Sequence, residues 1–269
     1  MQGPIAQIVA LTMHGNSLLQ GESDGASFQE INTTCRFCES VLFQDVGTRA
    51  GPVWAANVHE WFGRLKREGV RSLRLRHGPS GRTDVADRIL VAFGGGGRWF
   101  IETGGDARPD YWISRWVIGN RERKDKKIWR VSYLRIPGEA PIGNGTAEDL
   151  AQLKAELRAR LEEIAEFSRC QKLDSFTKLF ESGIARLESQ APLEGIYHSD
   201  IAPPTLLPLA ASQLLGAVEA AWVFGGMGSW NDQGFEGDVQ SRYEKVSEQL
   251  YQIINRSIVA AANSSVPFD

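Results

Sequence analysis

The segment RWFIETGGDARPDYWISRWVIGNRERKDKKIWRVSYLRI, Arg98 to Ile136, decides the fold class. Three runs within it, Arg98 to Thr103, Tyr111 to Ile118 and Lys127 to Ile136, alternate side-chain character with the period of two that marks strands. Between them stand the turn-forming stretches Gly104 to Pro109 and Gly119 to Lys126. Links this short join antiparallel neighbours, because a parallel crossover needs a longer connection. In the middle run Trp112, Ser114 and Trp116 share one face, while Tyr111, Ile113, Arg115 and Val117 share the other. Both faces are bulky, so the sheet is expected to be covered on more than one side or to meet a partner.

Upstream, Ser72 to Arg76 and Arg88 to Phe93 read as two further strands of the same meander, with Gly94 to Gly97 as a hairpin turn. Before them Trp54, Val58, Trp61 and Leu65 recur at helical spacing from near Pro52, and Gly69 is a suitable stop. This helix is expected to cover the sheet. Cys35 to Phe43 alternates with Cys35, Phe37, Val41 and Phe43 on one face, and Ile5 to Met13 reads as the first strand, ending in a turn at His14-Gly15-Asn16.

Downstream the period changes. Pro137 to Gly145 reads as a linker, and Thr146 with Asp149 forms a helix-capping arrangement. Leu150, Leu153, Leu157, Leu161, Ile164 and Phe167 then mark an amphipathic helix. The stripe continues through Leu173, Phe176, Phe180, Ile184 and Leu187, after a kink near Asp174 or in a second helix. Ala191 to Thr205 is irregular, and Thr205 is expected to cap an apolar helix with Pro208 in its first turn. A last helix, from near Asp238, carries Val239, Tyr243, Val246, Leu250, Ile253, Ile254, Ile258 and Ala261. The chain therefore reads as α+β: an N-terminal antiparallel meander with one covering helix over residues 1–140, then a C-terminal bundle of three to four helices over 141–269, whose apolar stripes also suit a dimer.

Composition narrows function by exclusion. With 269 residues, 42% of them hydrophobic and 23% charged, the chain has enough apolar content to fold as a globular protein. Leu206 to Phe224 approaches membrane-spanning length but contains Pro208, Ser212, Gln213, Gly216 and Glu219, so a buried helix is expected and no membrane partner. Met1 to Ala10 lacks the pattern of a secretory leader, and three cysteines offer no disulfide framework, which together lead to an expected cytoplasmic location. Residues 1–140 hold 20 Lys and Arg against 15 Asp and Glu, and residues 141–269 hold 10 against 18. Attraction between the two halves explains this division better than a nucleic-acid face does.

Candidate chemistry is scattered. Cys35 and Cys38 have the spacing of a zinc or redox pair, but no second pair completes a metal site, and alternation around them suggests ordinary strand cysteines on opposite faces. The run Phe93-Gly-Gly-Gly-Gly-Arg98 lacks the following helix that a phosphate cradle requires. Asp106, Arg108, Asp110 and Tyr111 fall in one short loop, where two carboxylates, a guanidinium and a phenol suit a polar ligand or a cation. The basic run Arg121, Arg123, Lys124, Lys126 and Lys127 includes Glu122 and Asp125 and has no interleaved aromatics. Trp222 to Asp238, WVFGGMGSWNDQGFEGD, is a glycine-aromatic connection that offers the hydroxyl, indole, amide and carboxylate of Ser229, Trp230, Asn231 and Asp232, and His198 with Asp200 precedes the same apolar helix. Gly228-Ser229-Trp230 does not complete a nucleophile elbow.

Three readings follow in order. The first is a non-catalytic interaction or scaffold protein working through a protein partner or self-association. The second is an enzyme or small-ligand binder, hydrolase-like in its residue types, using the 225–238 loop with Trp230, Asn231 and Asp232, the 104–111 loop with Asp106, Arg108, Asp110 and Tyr111, and His198. The third, disfavoured, is nucleic-acid binding through the basic N-terminal half. No motif asks for a cofactor or a metal.

Overall fold

Alternation over Arg98 to Ile136 does build a sheet, and the computed structural model places it at the centre of the N-terminal half. Residues 1–22, 28–46, 52–94, 96–140 and 147–266 are described. Six strands, β1 (Cys38–Asp45), β2 (Val53–Ala55), β3 (Val70–Gly78), β4 (Arg98–Gly105), β5 (Asp110–Ile118) and β6 (Trp129–Pro137), lie in the order β2-β1-β6-β5-β4-β3. From β3 to β6 they form the expected antiparallel meander. The sheet as a whole is mixed, because β1 runs parallel to β6 with Phe43 opposite Tyr133.

Helices α1 (Gly3–Leu19) and α3 (Val58–Arg67), with the single turn α2 (Phe28–Ile31) between them in sequence, supply the inner cover. Asn57 caps α3 by accepting the Glu60 N–H at 2.8 Å, so the helix starts after Trp54, which belongs to β2 rather than to the helix. Gly69, at φ 79°, stops the chain beyond α3 as expected. On the inner face Phe43 stacks on Trp61 at 4.4 Å, and Trp112 meets Trp54 and Trp61 edge-on at 5.0 and 5.5 Å. Burying aromatics of this size supplies a large share of the core's free energy.

The expected strand Ile5 to Met13 is instead the buried helix α1, and His14-Gly15-Asn16 continues it rather than turning. The stretch is apolar on all sides, so its period cannot separate a buried strand from a buried helix. Gly15 is required by close approach, since a Cβ there would land in the Leu73 side chain and 3.0 Å from Phe62. Asn16 then reaches the outer edge of β3, accepting the Leu73 N–H at 2.7 Å and donating to its carbonyl at 2.9 Å.

The segment Arg88 to Phe93 is also helical, as a single turn α4 (Asp87–Leu90) followed by a 3-10 turn, so the first strand of the expected hairpin is not formed. Its competing pull is Arg88, 1% exposed, whose guanidinium is held by Glu244 and lies 3.8 Å from Glu248. Strand β1 begins at Cys38, with Cys35 in a preceding 3-10 turn, which breaks the alternation expected from Cys35 onward. Phe37, expected to face inward, is 41% exposed.

Four helices follow: α5 (Leu150–Cys170), α6 (Asp174–Arg186), α7 (Leu209–Ala220) and α8 (Gly237–Asn263). Asp149 caps α5 by accepting from Ala151 and Gln152, while Thr146 lies outside the described residues together with most of the expected linker. The stripe breaks into two helices at Lys172, where φ is 58°. Pro208 rather than Thr205 precedes α7, without a side-chain cap, and Glu236 rather than Asp238 precedes α8. Asn263 of α8 pairs with both backbone groups of Leu75, at 2.7 and 3.0 Å, beside the similar clamp from Asn16. A continuous buried core runs through residues of both halves.

Candidate functional site

In the 225–238 connection, local sequence sets a 3-10 turn over Trp230–Asp232, with Ser229 accepting the Asn231 N–H at 3.2 Å. Trp230 is wholly buried between Phe176 and Phe180, at 5.2 and 5.3 Å, and its indole N–H donates to Ser247 at 2.7 Å. Tyr243 donates to the Trp230 carbonyl at 2.6 Å. Asn231 donates to the Arg88 carbonyl at 2.8 Å, and Asp232 accepts the Gly228 N–H. Gly228 sits at φ 83°, a conformation that favours glycine. Trp230 thus anchors the loop to α8, Asn231 anchors it to Arg88, and Ser229 and Asp232 brace the loop's own backbone.

The 104–111 loop is the β4–β5 hairpin end, and its charged groups diverge. Asp106 pairs with Arg71 at 2.5 Å in an exposed contact, whereas Asp110 pairs with Arg135 at 2.8 Å. Burial pushes the Asp110 carboxyl above its ordinary range, against the pull of Arg135. Tyr111 donates to the Ala140 carbonyl at 2.5 Å, and Arg108 is exposed. No hydrogen bond, ion pair or ring contact among the described residues joins this loop to the 225–238 loop. In the basic connection between β5 and β6, Arg123 is bound to Asp125 at 2.7 Å and lies 3.6 Å from Glu39.

His198 does meet partners, but not Ser229 or Asp232. Its Nδ1 lies 2.9 Å from the Thr33 hydroxyl, which also donates to the Asp200 carboxylate. Asp200 further accepts the Thr33 N–H at 2.7 Å, and its carbonyl receives Asn32 at 2.8 Å and faces His14 at 3.0 Å. Burial holds both His14 and His198 below the ordinary imidazole pKa, so each favours its neutral form. A groove of about 620 Å³ opens beside His14 and Asp200 against the prolines at 192, 203 and 204. The network ties the 196–203 loop to the N-terminal half. Thr33 and His14 escaped the sequence reading because they lie 165 and 186 residues from their partners, a separation over which no local spacing carries a signal.

Cys35 and Cys38 both face the amide of Gln7, at 3.6 and 3.4 Å, so they share one side rather than opposite faces. The 3-10 turn before β1 rotates Cys35 inward. Burial pushes the Cys35 thiol up to about 12 and the Cys38 thiol up to about 11, which opposes thiolate chemistry. Among the described residues no group of three or more His, Cys, Asp or Glu side chains is arranged to hold a metal ion, and no helix is long and apolar enough to cross a membrane.

The second bulky strand face, expected to be covered or to meet a partner, is the outer face of the sheet. Register places Phe100, Ile113 and Leu134 in one row across β4, β5 and β6, and Tyr111 and Ile136 in the next. All five are at least partly exposed, as is Val117 at 45%. Arg76, beside Phe100 on β3, pairs with Glu102 at 2.7 Å, and Arg115 is exposed on β5. The helices that pack on the sheet, α1 and α3, meet its inner residues, through Gln7 on Tyr133 and Trp61 on Phe43. The chain matches no family model, no curated protein and no solved structure, so its functional reading rests on this geometry.

Proposed function

We propose that the protein is a non-catalytic interaction or scaffold protein, acting through a protein partner or through self-assembly, with the outer sheet face as its contact surface. The supporting observation is the row Phe100, Ile113 and Leu134, flanked by Tyr111, Ile136 and Val117, on the face opposite the covering helices. An apolar centre rimmed by arginines has the composition of an interface. Pairing through the β3 edge is disfavoured, because Asn16 and Asn263 already occupy the outward backbone groups of Leu73 and Leu75. Contact through the face, rather than strand addition at that edge, is the mode this arrangement suits.

The test replaces Ile113 by aspartate and compares sedimentation and partner capture with the wild type. The expected result is an assembly or a retained protein that is lost in Ile113→Asp while circular dichroism stays unchanged. A wild type that stays monomeric over a wide concentration range and retains the same proteins as Ile113→Asp overturns the proposal.

A further inference from the structure

The division of charge along the chain is only partly absorbed within the fold. Arg88 of α4 meets Glu244 and Glu248 of α8, and the Met1 ammonium meets Glu219 of α7, so these ion pairs between the halves lie away from the outer sheet face. On that face the register turns Arg74 and Arg76 of β3, Arg98 of β4, Arg115 of β5 and Arg130 of β6 the same way as the apolar row of Phe100, Ile113 and Leu134. The carboxylates beside them are Glu102, which holds Arg76 at 2.7 Å, and Glu39, which holds Arg130 at 2.9 Å. Positive charge is therefore in excess. Arg115, exposed two residues along β5 from Ile113, makes no hydrogen bond, ion pair or ring contact among the described residues.

Dimensions and charge together give the occupant's chemistry. Phe100, Ile113 and Leu134 sit on three neighbouring strands and so span about 10 Å, the diameter of a helix. From Tyr111 to Val117 the face runs about 20 Å along β5, which matches roughly 13 helical residues. The same sheet already carries helices α1 and α3 on its other face, and helix on sheet is a stable way to stack layers. A second copy laid on the outer face would bring one net-positive patch against another, which opposes assembly. A nucleic-acid strand would need rings to stack on. Phe100 and Tyr111 instead meet each other edge-on at 5.6 Å, and the Tyr111 hydroxyl is bound to the Ala140 carbonyl.

We propose that the outer sheet face binds an amphipathic helix of an acidic partner protein, with the helix's apolar stripe on Phe100, Ile113 and Leu134 and one of its carboxylates on Arg115. This rests on the outer face being the contact surface and adds the partner's form and charge. The Arg115 guanidinium offers a planar fork of donors that a carboxylate meets with two hydrogen bonds. The remaining arginines strengthen the positive field that draws such a helix in.

Fluorescence anisotropy of a labelled synthetic peptide, titrated with the full chain, tests the inference. The peptide has about 18 residues, enough to span the face, with leucine at i, i+3, i+4 and i+7 spacing and glutamate elsewhere. One control carries lysine in place of glutamate, and another has the same composition in an order that abolishes the stripe. The glutamate peptide is expected to bind saturably and more weakly as salt rises, with both controls at least about tenfold weaker. Arg115→Glu, at an exposed site, is expected to keep the wild-type unfolding midpoint and to weaken the peptide by at least about tenfold, as is Ile113→Asp to weaken it. Should Arg115→Glu fold poorly, Arg115→Gln, which removes only the charge, decides in its place. Absence of binding, equal affinity for the lysine peptide, or an affinity unmoved by the Arg115 variants overturns the assignment. Displacement of the peptide by an oligothymidylate that binds more tightly also overturns it, in favour of nucleic acid. If the peptide fails while Ile113→Asp still abolishes assembly or partner capture, the contact surface stands and only the acidic helix is refuted.

Discussion

The two faces of the sheet are made by the same strands, one residue apart, yet they have opposite fates. Trp112 and Tyr133 point inward and are fully buried, whereas Ile113 and Leu134, their neighbours in sequence, lie partly exposed on the other side. Side-chain composition alone does not distinguish them, for both sets are apolar. The difference comes from what the rest of the chain lays over each face: α1 and α3 cover one, and no described helix covers the other. Alternation assigns residues to faces, but coverage decides which face becomes core.

Breaking the inner face should have the largest effect. Trp61→Ala removes the side chain stacked on Phe43 and is expected to cost about 3–5 kcal/mol in urea unfolding, because the cavity cannot be filled by neighbours already packed. The next largest effect lies at the sheet edge. Asn16→Ala leaves the N–H and carbonyl of Leu73 without their partner and should cost about 2–3 kcal/mol. Both losses would be read as a shift of the unfolding midpoint.

Acidification should sharpen the same contrast more gently. His14, His77 and His198 are all held below their ordinary pKa by burial. The unfolded chain therefore takes up protons that the folded chain refuses, so stability is present above about pH 6.5 and is lost as pH falls from there toward the lowered folded values. A melting temperature that stays flat through this interval in the wild type would refute it, and His198→Gln should reduce the slope. At the small end, Phe100→Ala and Leu134→Ala on the outer face should change stability by only about 1 kcal/mol, measured by the same unfolding curves. Losses as large as that of Trp61→Ala would mean that the outer face is core after all.

How much of this was legible varies with the range of the interactions. The meander from β4 to β6, the start of α5 at Asp149 and the stripe of α8 follow from local period and turn chemistry, and all are found close to where the residues place them. That the 225–238 segment is a glycine-aromatic connection before the last helix was also readable. Its partners were not, since Asn231 meets Arg88 across 143 residues. The same distance problem hid the network of His198, Thr33 and Asp200.

By itself the sequence determined the α+β class, the order of most elements and which side chains share a strand face, because these depend on period and on short-range turn chemistry. Only the tertiary structure decided that Ile5 to Met13 is a helix, that β1 joins β6 in parallel and that no described helix covers one sheet face. The physical reason is common to all three. A uniformly apolar run satisfies helix and strand equally, and strand partners and face coverage are fixed by contacts between residues far apart in the chain, where burial and backbone hydrogen bonding override local preference.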